Sequence, residues 1–420
     1  MHLSAHLDLD VLAHETDDQL SVLVELTAPE QSRGADRAPS TLVVVLDRSG
    51  SMAGPRLEQA KAALTTVIDQ LDPRDRFGLV TFDQHTTVAV PAGALTDKPS
   101  VKRAIAQVHP GGSTDLSGGY LRGLQEARRV AGGAGATVLV VSDGHANAGL
   151  TDPAQLGGLA RGAGETDRIT TSTLGMGLGY DERLLSAIAS GGGGNEHFAE
   201  TADEAGKLIA GEVDGLLALV AQAGSLRVRM APPVRAVRVI NDLSVGPLPD
   251  GIMIELGAFY AGETRKLIMT FDVPGIPALG LAEVATLELG YLTVPALEQQ
   301  TVSLPLYVNV VPGDQAAGRI PDPVVRTEAA FQRAQQAKRA ASTALSAGDS
   351  LAASAALRTA RSELGRAVVA APAQLVAELD DEIGLLDRLA DEVTYGDVTR
   401  AAKLSSADAT FKSRTRGRRR

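Results

Sequence analysis

The chain opens on alternation: Ala5, Leu7, Leu9 and Val11 are spaced by polar neighbours, and an apolar stretch from Leu20 to Leu26 follows Glu15-Thr-Asp-Asp18. A period of two marks strands with one buried face, so residues 1–34 predict two strands about a turn, with Gln31–Asp36 as a polar linker. From 38 to 222 the pattern changes. Thr41–Leu46 and Thr137–Val141 are unbroken apolar runs, as expected of strands covered on both faces. Arg76–Phe82, Thr86–Val90, Ile169–Leu174 and Glu196–Phe198 are further strand candidates. Between them the period is helical. After Pro55, Leu57, Ala60, Leu64, Val67, Ile68 and Leu71 fall on one face. Leu116, Tyr120, Leu124 and Ala127 do the same further on. Strand and helix units in alternation predict a doubly wound, Rossmann-like α/β sheet, mostly parallel.

Residues 224–315 return to short runs rich in β-branched residues, divided by Gly and Pro, and predict a β-sandwich. The N-terminal strands have no core of their own. They are expected to join that sandwich, which makes the α/β domain an insertion within it. Residues 316–400 are Ala-rich with helical spacing, including Leu375, Leu379, Ile383, Leu386, Leu389 and Val393, and predict a helical bundle or hairpin. Residues 401–420 end in Lys412-Ser-Arg-Thr-Arg-Gly-Arg-Arg-Arg and read as a basic, disordered tail.

Composition narrows the function. There is no Cys, which excludes disulfides, zinc–thiolate sites and thiol catalysis. A net charge of −11 speaks against nucleic-acid binding by the body of the protein, leaving residues 412–420 as the one candidate contact. No apolar run reaches membrane-spanning length, and the first residues lack a basic flank and an apolar signal core; the expectation is a cytoplasmic protein without a membrane anchor.

Three pieces carry candidate chemistry. Asp47-Arg-Ser49-Gly-Ser51 follows the first buried strand. Gly111-Gly-Ser113-Thr114-Asp-Leu lies before a helix, and Ser142-Asp143-Gly144 follows the strand Thr137–Val141. Open α/β sheets bind ligands at the carboxyl ends of their strands, where all three belong. Two carboxylates and three hydroxyls are all hard oxygen donors, suited to Mg²⁺ first and Ca²⁺ or Mn²⁺ next. Either Ser113 or Thr114 can supply the third-loop hydroxyl. Such a set leaves a coordination position for an anionic oxygen from a partner's Asp or Glu.

With those residues in place, the chain resembles the metal-ion-dependent adhesion site (MIDAS) of von Willebrand factor A (vWA) domains over residues 38–222. Asp47-x-Ser49-x-Ser51-Met52, Thr114-Asp-Leu and Ser142-Asp143-Gly carry the likeness. The resemblance implies direct contact to the ion from Ser49, Ser51 and, in one state, Thr114, with Asp47 and Asp143 acting partly through water, and an antiparallel edge strand at Thr86–Val90. It favours Thr114 over Ser113. Arg48, Met52, Ser113 and His145 are expected on the rim that meets a partner. The implied function is metal-dependent protein binding, not catalysis. An alternative is a subunit working beside a MoxR- or chelatase-like ATPase. A phosphoryl-transfer enzyme with Asp47 as nucleophile fits poorly, because such sites want a second acid where Ser49 stands. Gly175-Met-Gly-Leu-Gly179 lacks the third glycine of a dinucleotide loop.

Overall fold

The computed structural model describes residues 1–30, 39–131, 135–144, 146–232, 234–294 and 296–415. The linker expected at 31–36 and the rim residue His145 lie outside them.

The chain begins with β1 (His2–Leu7), β2 (Val11–Ala13) and β3 (Asp18–Thr27), three strands where alternation suggested two. The α/β domain follows: β4 (Thr41–Asp47), α1 (Pro55–Gln70), β5 (Arg76–Phe82), β6 (Thr86–Ala94), α2 (Lys98–Ala106), α3 (Leu116–Ala131), β7 (Ala136–Ser142), α4 (Pro153–Asp167), β8 (Ile169–Met176), α5 (Glu182–Gly191), β9 (Gly193–Ala199) and α6 (Ala202–Leu217). Next come β10 (Leu219–Met230), β11 (Ala236–Val239), β12 (Val245–Leu248), β13 (Gly251–Tyr260), β14 (Thr264–Val273), β15 (Gly280–Thr293) and β16 (Gln299–Val311). The chain closes with the short α7 (Gly313–Ala316) and with α8 (Pro323–Ser346), α9 (Ser350–Ala370), α10 (Ala373–Tyr395) and α11 (Val398–Thr415).

The sandwich has sheets β1-β3-β14-β11 and β12-β13-β10-β15-β16-β2, so the strands before the insertion are built into both layers. β3 shows why. Leu20, Val22, Val24 and Leu26 face the sandwich core, while Leu23 turns the other way, under Val325 and Ala329 of α8. A strand covered on both faces is apolar at successive positions.

The inserted sheet runs β6-β5-β4-β7-β8-β9, with β6 antiparallel at one edge and every other pairing parallel. β4 sorts its side chains strictly by period two. Leu42, Val44 and Leu46 pack beneath α1 and α6, and Val43 and Val45 pack beneath α3. α3 reaches the sheet through Gly123, where a Cβ would sit 2.3 Å from Val45 Cγ2. Gly123→Ala should therefore destabilise the protein by about 1–3 kcal/mol from overpacking, more than the helix-propensity gain of about 1 kcal/mol returns. Urea unfolding of the variant measures the sign.

α8, α9 and α10 share a core of Phe331, Leu345, Leu357, Leu364, Leu379, Leu386 and Leu389. The expected disordered tail from residue 401 is overturned up to residue 415, because α11 is a packed helix. Its buried side is small and polar: Ala401, Ala402, Lys403, Ser405, Ser406, Ala409, Thr410 and Ser413. Polar contacts to every layer hold it. Lys403 Nζ donates to Tyr180 O at 2.5 Å and to Glu182 at 2.8 Å, and lies over the Tyr180 ring. Ser406 and Thr410 hydroxyls both donate to Glu196 at 3.0 Å. Lys412 pairs with Glu382 of α10 at 2.5 Å, and Asn241 of the sandwich donates to Ser413 O at 3.1 Å. Among the described residues, no helix is long and apolar enough to cross a membrane.

Candidate metal centre

β4 and β7 are neighbours and parallel, so their last residues, Asp47 and Ser142, leave the sheet side by side. Asp47 is fully buried. One carboxylate oxygen accepts from Ser49 N at 2.7 Å, and the other accepts from Ser142 Oγ at 2.6 Å. Burial pushes the Asp47 carboxyl up, against the hydrogen bonds of Ser142 and Ser49, and the nearby charge of Asp143 adds to the rise.

The Ser49–Gly50 turn is pinned from outside. Gly50 N donates to Gly112 O at 3.0 Å and Gly111 N to Arg48 O at 2.6 Å, which ties the first and second loops. Ser49 Oγ and Ser51 Oγ stand 3.1 Å apart, and Ser51 Oγ donates to Asp143 Oδ1 at 2.7 Å. Thr114 Oγ1 faces the same space: it and Ser51 Oγ lie 3.4 and 3.5 Å from where a Cβ on Gly144 would be. Thr114 is buried and Ser113 is exposed. Thr114 is anchored by Asn147, whose Oδ1 accepts from Thr114 N at 2.9 Å.

These residues fit a hard divalent ion. The donors converging here are oxygens, and their spacings of 3.1 and 2.7 Å bracket the roughly 3 Å between adjacent ligands of an ion with oxygens at about 2.0–2.1 Å. Of the residues expected to form the site, the structure brings together Asp47, Ser49, Ser51, Thr114 and Asp143.

The rim differs from expectation at Met52. A single helical turn, Gly50–Met52, rolls its side chain inward among Leu57, Ala60 and Leu64, so Met52 is core and not contact surface. Arg48 is half-buried and pairs with Asp83 at 3.1 Å. Asp83 also accepts from His85 N at 2.7 Å and Gly112 N at 3.3 Å. Burial pushes the Asp83 carboxyl up, but these donors and Arg48 outweigh it and leave it below the usual range.

Sequence reasoning missed four residues here: Ser142, Asn147, Asp83 and Arg56. Arg56 Nη1 donates to Asp143 Oδ2 at 2.7 Å and to Ser51 O at 3.3 Å. Ser142 stands in the third piece, beside Asp143, and Asn147 lies three residues beyond its end. Nothing in the local pattern marked Asp83 or Arg56, whose roles appear only when loops distant in sequence meet.

The family model of the von Willebrand factor type A domain matches residues 41–210. YfbK of Escherichia coli is 28% identical over 215 residues, covering 50% of this chain and 37% of that protein. Human inter-alpha-trypsin inhibitor heavy chain H4 is 28% identical over 180 residues, 41% of this chain and 19% of that protein. The chain thus spans less than half the length of these relatives. A solved von Willebrand factor type A protein from Catenulispora acidiphila superposes with a TM-score of 0.74 at 19% identity, over 98% of this chain and 96% of that one, which shows the same fold through sandwich, insertion and helices. Residues 41–210 are therefore a von Willebrand factor type A domain, carried between two parts of a β-sandwich.

Proposed function

We propose that the chain is a metal-dependent protein-binding module, in which Asp47, Ser49, Ser51, Thr114 and Asp143 hold Mg²⁺, or Ca²⁺ or Mn²⁺ in its place, and the ion captures a carboxylate of a protein partner. The observation that carries this reading is the run of oxygens Ser49 Oγ, Ser51 Oγ and Asp143 Oδ1 at 3.1 and 2.7 Å, with Thr114 Oγ1 across Gly144, at the carboxyl edge of the sheet. The bound ion would supply a Lewis-acidic position for an anionic oxygen. The chain's own part is to orient five oxygens and keep Asp47 shielded.

Asp47 also speaks for binding over phosphoryl transfer. A nucleophilic carboxylate needs an oxygen that the substrate can reach. Both Asp47 oxygens accept hydrogen bonds at 2.7 and 2.6 Å in a fully buried site. Exposed Ser113 and half-buried Arg48 flank the opening and offer polar contacts to a partner.

Affinity capture with the full chain, in Mg²⁺ and in EDTA, tests the proposal. Partner capture by the wild type in Mg²⁺ alone, and lost in Asp47→Ala, is the expected result. Equal capture by folded, metal-free Asp47→Ala would move recognition to the sandwich or the helices.

A further inference from the structure

Arg56 is placed with more care than a surface arginine needs. It is the second residue of α1, entered through Gly54 and Pro55. The side chain is 41% exposed, yet its guanidinium bridges Asp143 Oδ2 at 2.7 Å and Ser51 O at 3.3 Å. The loop after β8 leaves room for it. Gly177 has φ +69°, and a Cβ there would lie 2.7 Å from Arg56 Nη2. With Arg56 on Oδ2 and Ser51 on Oδ1, both oxygens of Asp143 are committed and the carboxylate is fixed with Oδ1 toward the serines.

We propose that Arg56 sets the division of affinity at this centre, lowering the hold on the ion and raising the ion's hold on a single carboxylate; the inference rests on the metal-binding reading above. Charge counting gives the reason. Asp47 and Asp143 contribute two negative charges and Arg56 one positive charge that it cannot lose. The neighbouring Arg48–Asp83 pair is neutral within itself. The Asp115 carboxylate is turned away, accepting from Ser117 Oγ at 2.8 Å and Gly118 N at 2.9 Å at the start of α3. A divalent ion in this setting keeps one net positive charge, and one carboxylate neutralises it. Without Arg56 the two aspartates alone would balance the ion, binding it more tightly and leaving less attraction for an anionic ligand. Arg56 is thus a positioning residue for Asp143 and an electrostatic counterweight to it.

The test uses the full-length protein and its Arg56→Gln and Arg56→Lys variants. Mn²⁺ affinity is read by water-proton relaxation, and acetate is then titrated as the carboxylate probe at saturating Mn²⁺. Glutamine keeps a polar N–H donor but carries no charge. Arg56→Gln should bind Mn²⁺ about fivefold more tightly and acetate about fivefold more weakly, the size expected of a partly exposed charge. Arg56→Lys should stay near wild type in both. Weaker Mn²⁺ binding in Arg56→Gln, or no change in either affinity, would overturn the inference while leaving the metal centre standing. Failure of the wild type itself to bind Mn²⁺ would overturn the metal-centre reading and this inference together.

Discussion

Asp143→Ala should weaken Mg²⁺ or Mn²⁺ binding by at least about 100-fold and leave the fold intact. Loss of even an outer-shell partner of a metal costs about 10–100-fold, and Asp143 supplies both a hard oxygen and one of two negative charges at this centre. The structural cost is small by comparison. Asp143 is buried, but the groups it would abandon, the exposed Ser51 and Arg56, can turn to water. That separates Asp143 from Asp47, whose removal strands Ser142 Oγ and Ser49 N in a buried position. Mn²⁺ titration beside urea unfolding gives both numbers. Retained affinity within threefold of wild type would show that the oxygens gathered here do not hold the ion.

The second large effect lies far from that centre. Lys338 of α8 is completely buried, pairs with Glu382 of α10 at 2.5 Å and also bonds Asp408 of α11. Lys338→Ala should cost about 3–5 kcal/mol, because it leaves the Glu382 and Asp408 carboxylates in the interior with Lys412 as the one cation still paired to them among the described residues. Amide exchange should show α11 opening first. A loss under about 1 kcal/mol would mean that the small side chains, not the charges, hold the helix.

The same cluster sets an acid limit. Burial pushes the Glu382 and Asp408 carboxyls up, but Lys338 and Lys412 more than reverse it, leaving both below their ordinary values of 4.5 and 3.8. Depressed carboxyls give stability that is complete above those ordinary values and lost as pH falls through the folded ones. α11 should therefore detach in acid before the A domain unfolds, read as early loss of exchange protection in residues 398–415.

Much of this architecture is written locally. β4 is apolar at successive positions because its two faces meet different helices, and the candidate oxygen donors lie at and just after the end of β4, just before α3 and just after β7, in chain order. What was not legible depends on distant partners. Lys403, Asp408 and Lys412 read as a solvated tail because Glu182, Lys338 and Glu382, which make their burial tolerable, lie far back in the chain. Adjacency to Ser51 points Met52 to the rim, yet one helical turn sends neighbouring side chains in opposite directions. Arg56 carries no local mark because its partner Asp143 is 87 positions away.

The insertion also dictates an order of assembly. β3 pairs with β14 over ten residues, from Thr27 opposite Thr264 to Asp18 opposite Val273, across the entire A domain. Closing so long a segment as a flexible loop costs about 4–5 kcal/mol in chain entropy before any sandwich contact is made. Once the A domain has folded that cost largely disappears, because its two ends are already together, with Ser40 Oγ 3.5 Å from Leu216 O. Pairing of β3 with β14, and with it closure of the sandwich, should thus follow folding of its guest, whereas β10, β12, β13, β15 and β16 can pair with one another beforehand. Mutations that slow A-domain folding should slow β3–β14 pairing in step, even when they touch no sandwich residue.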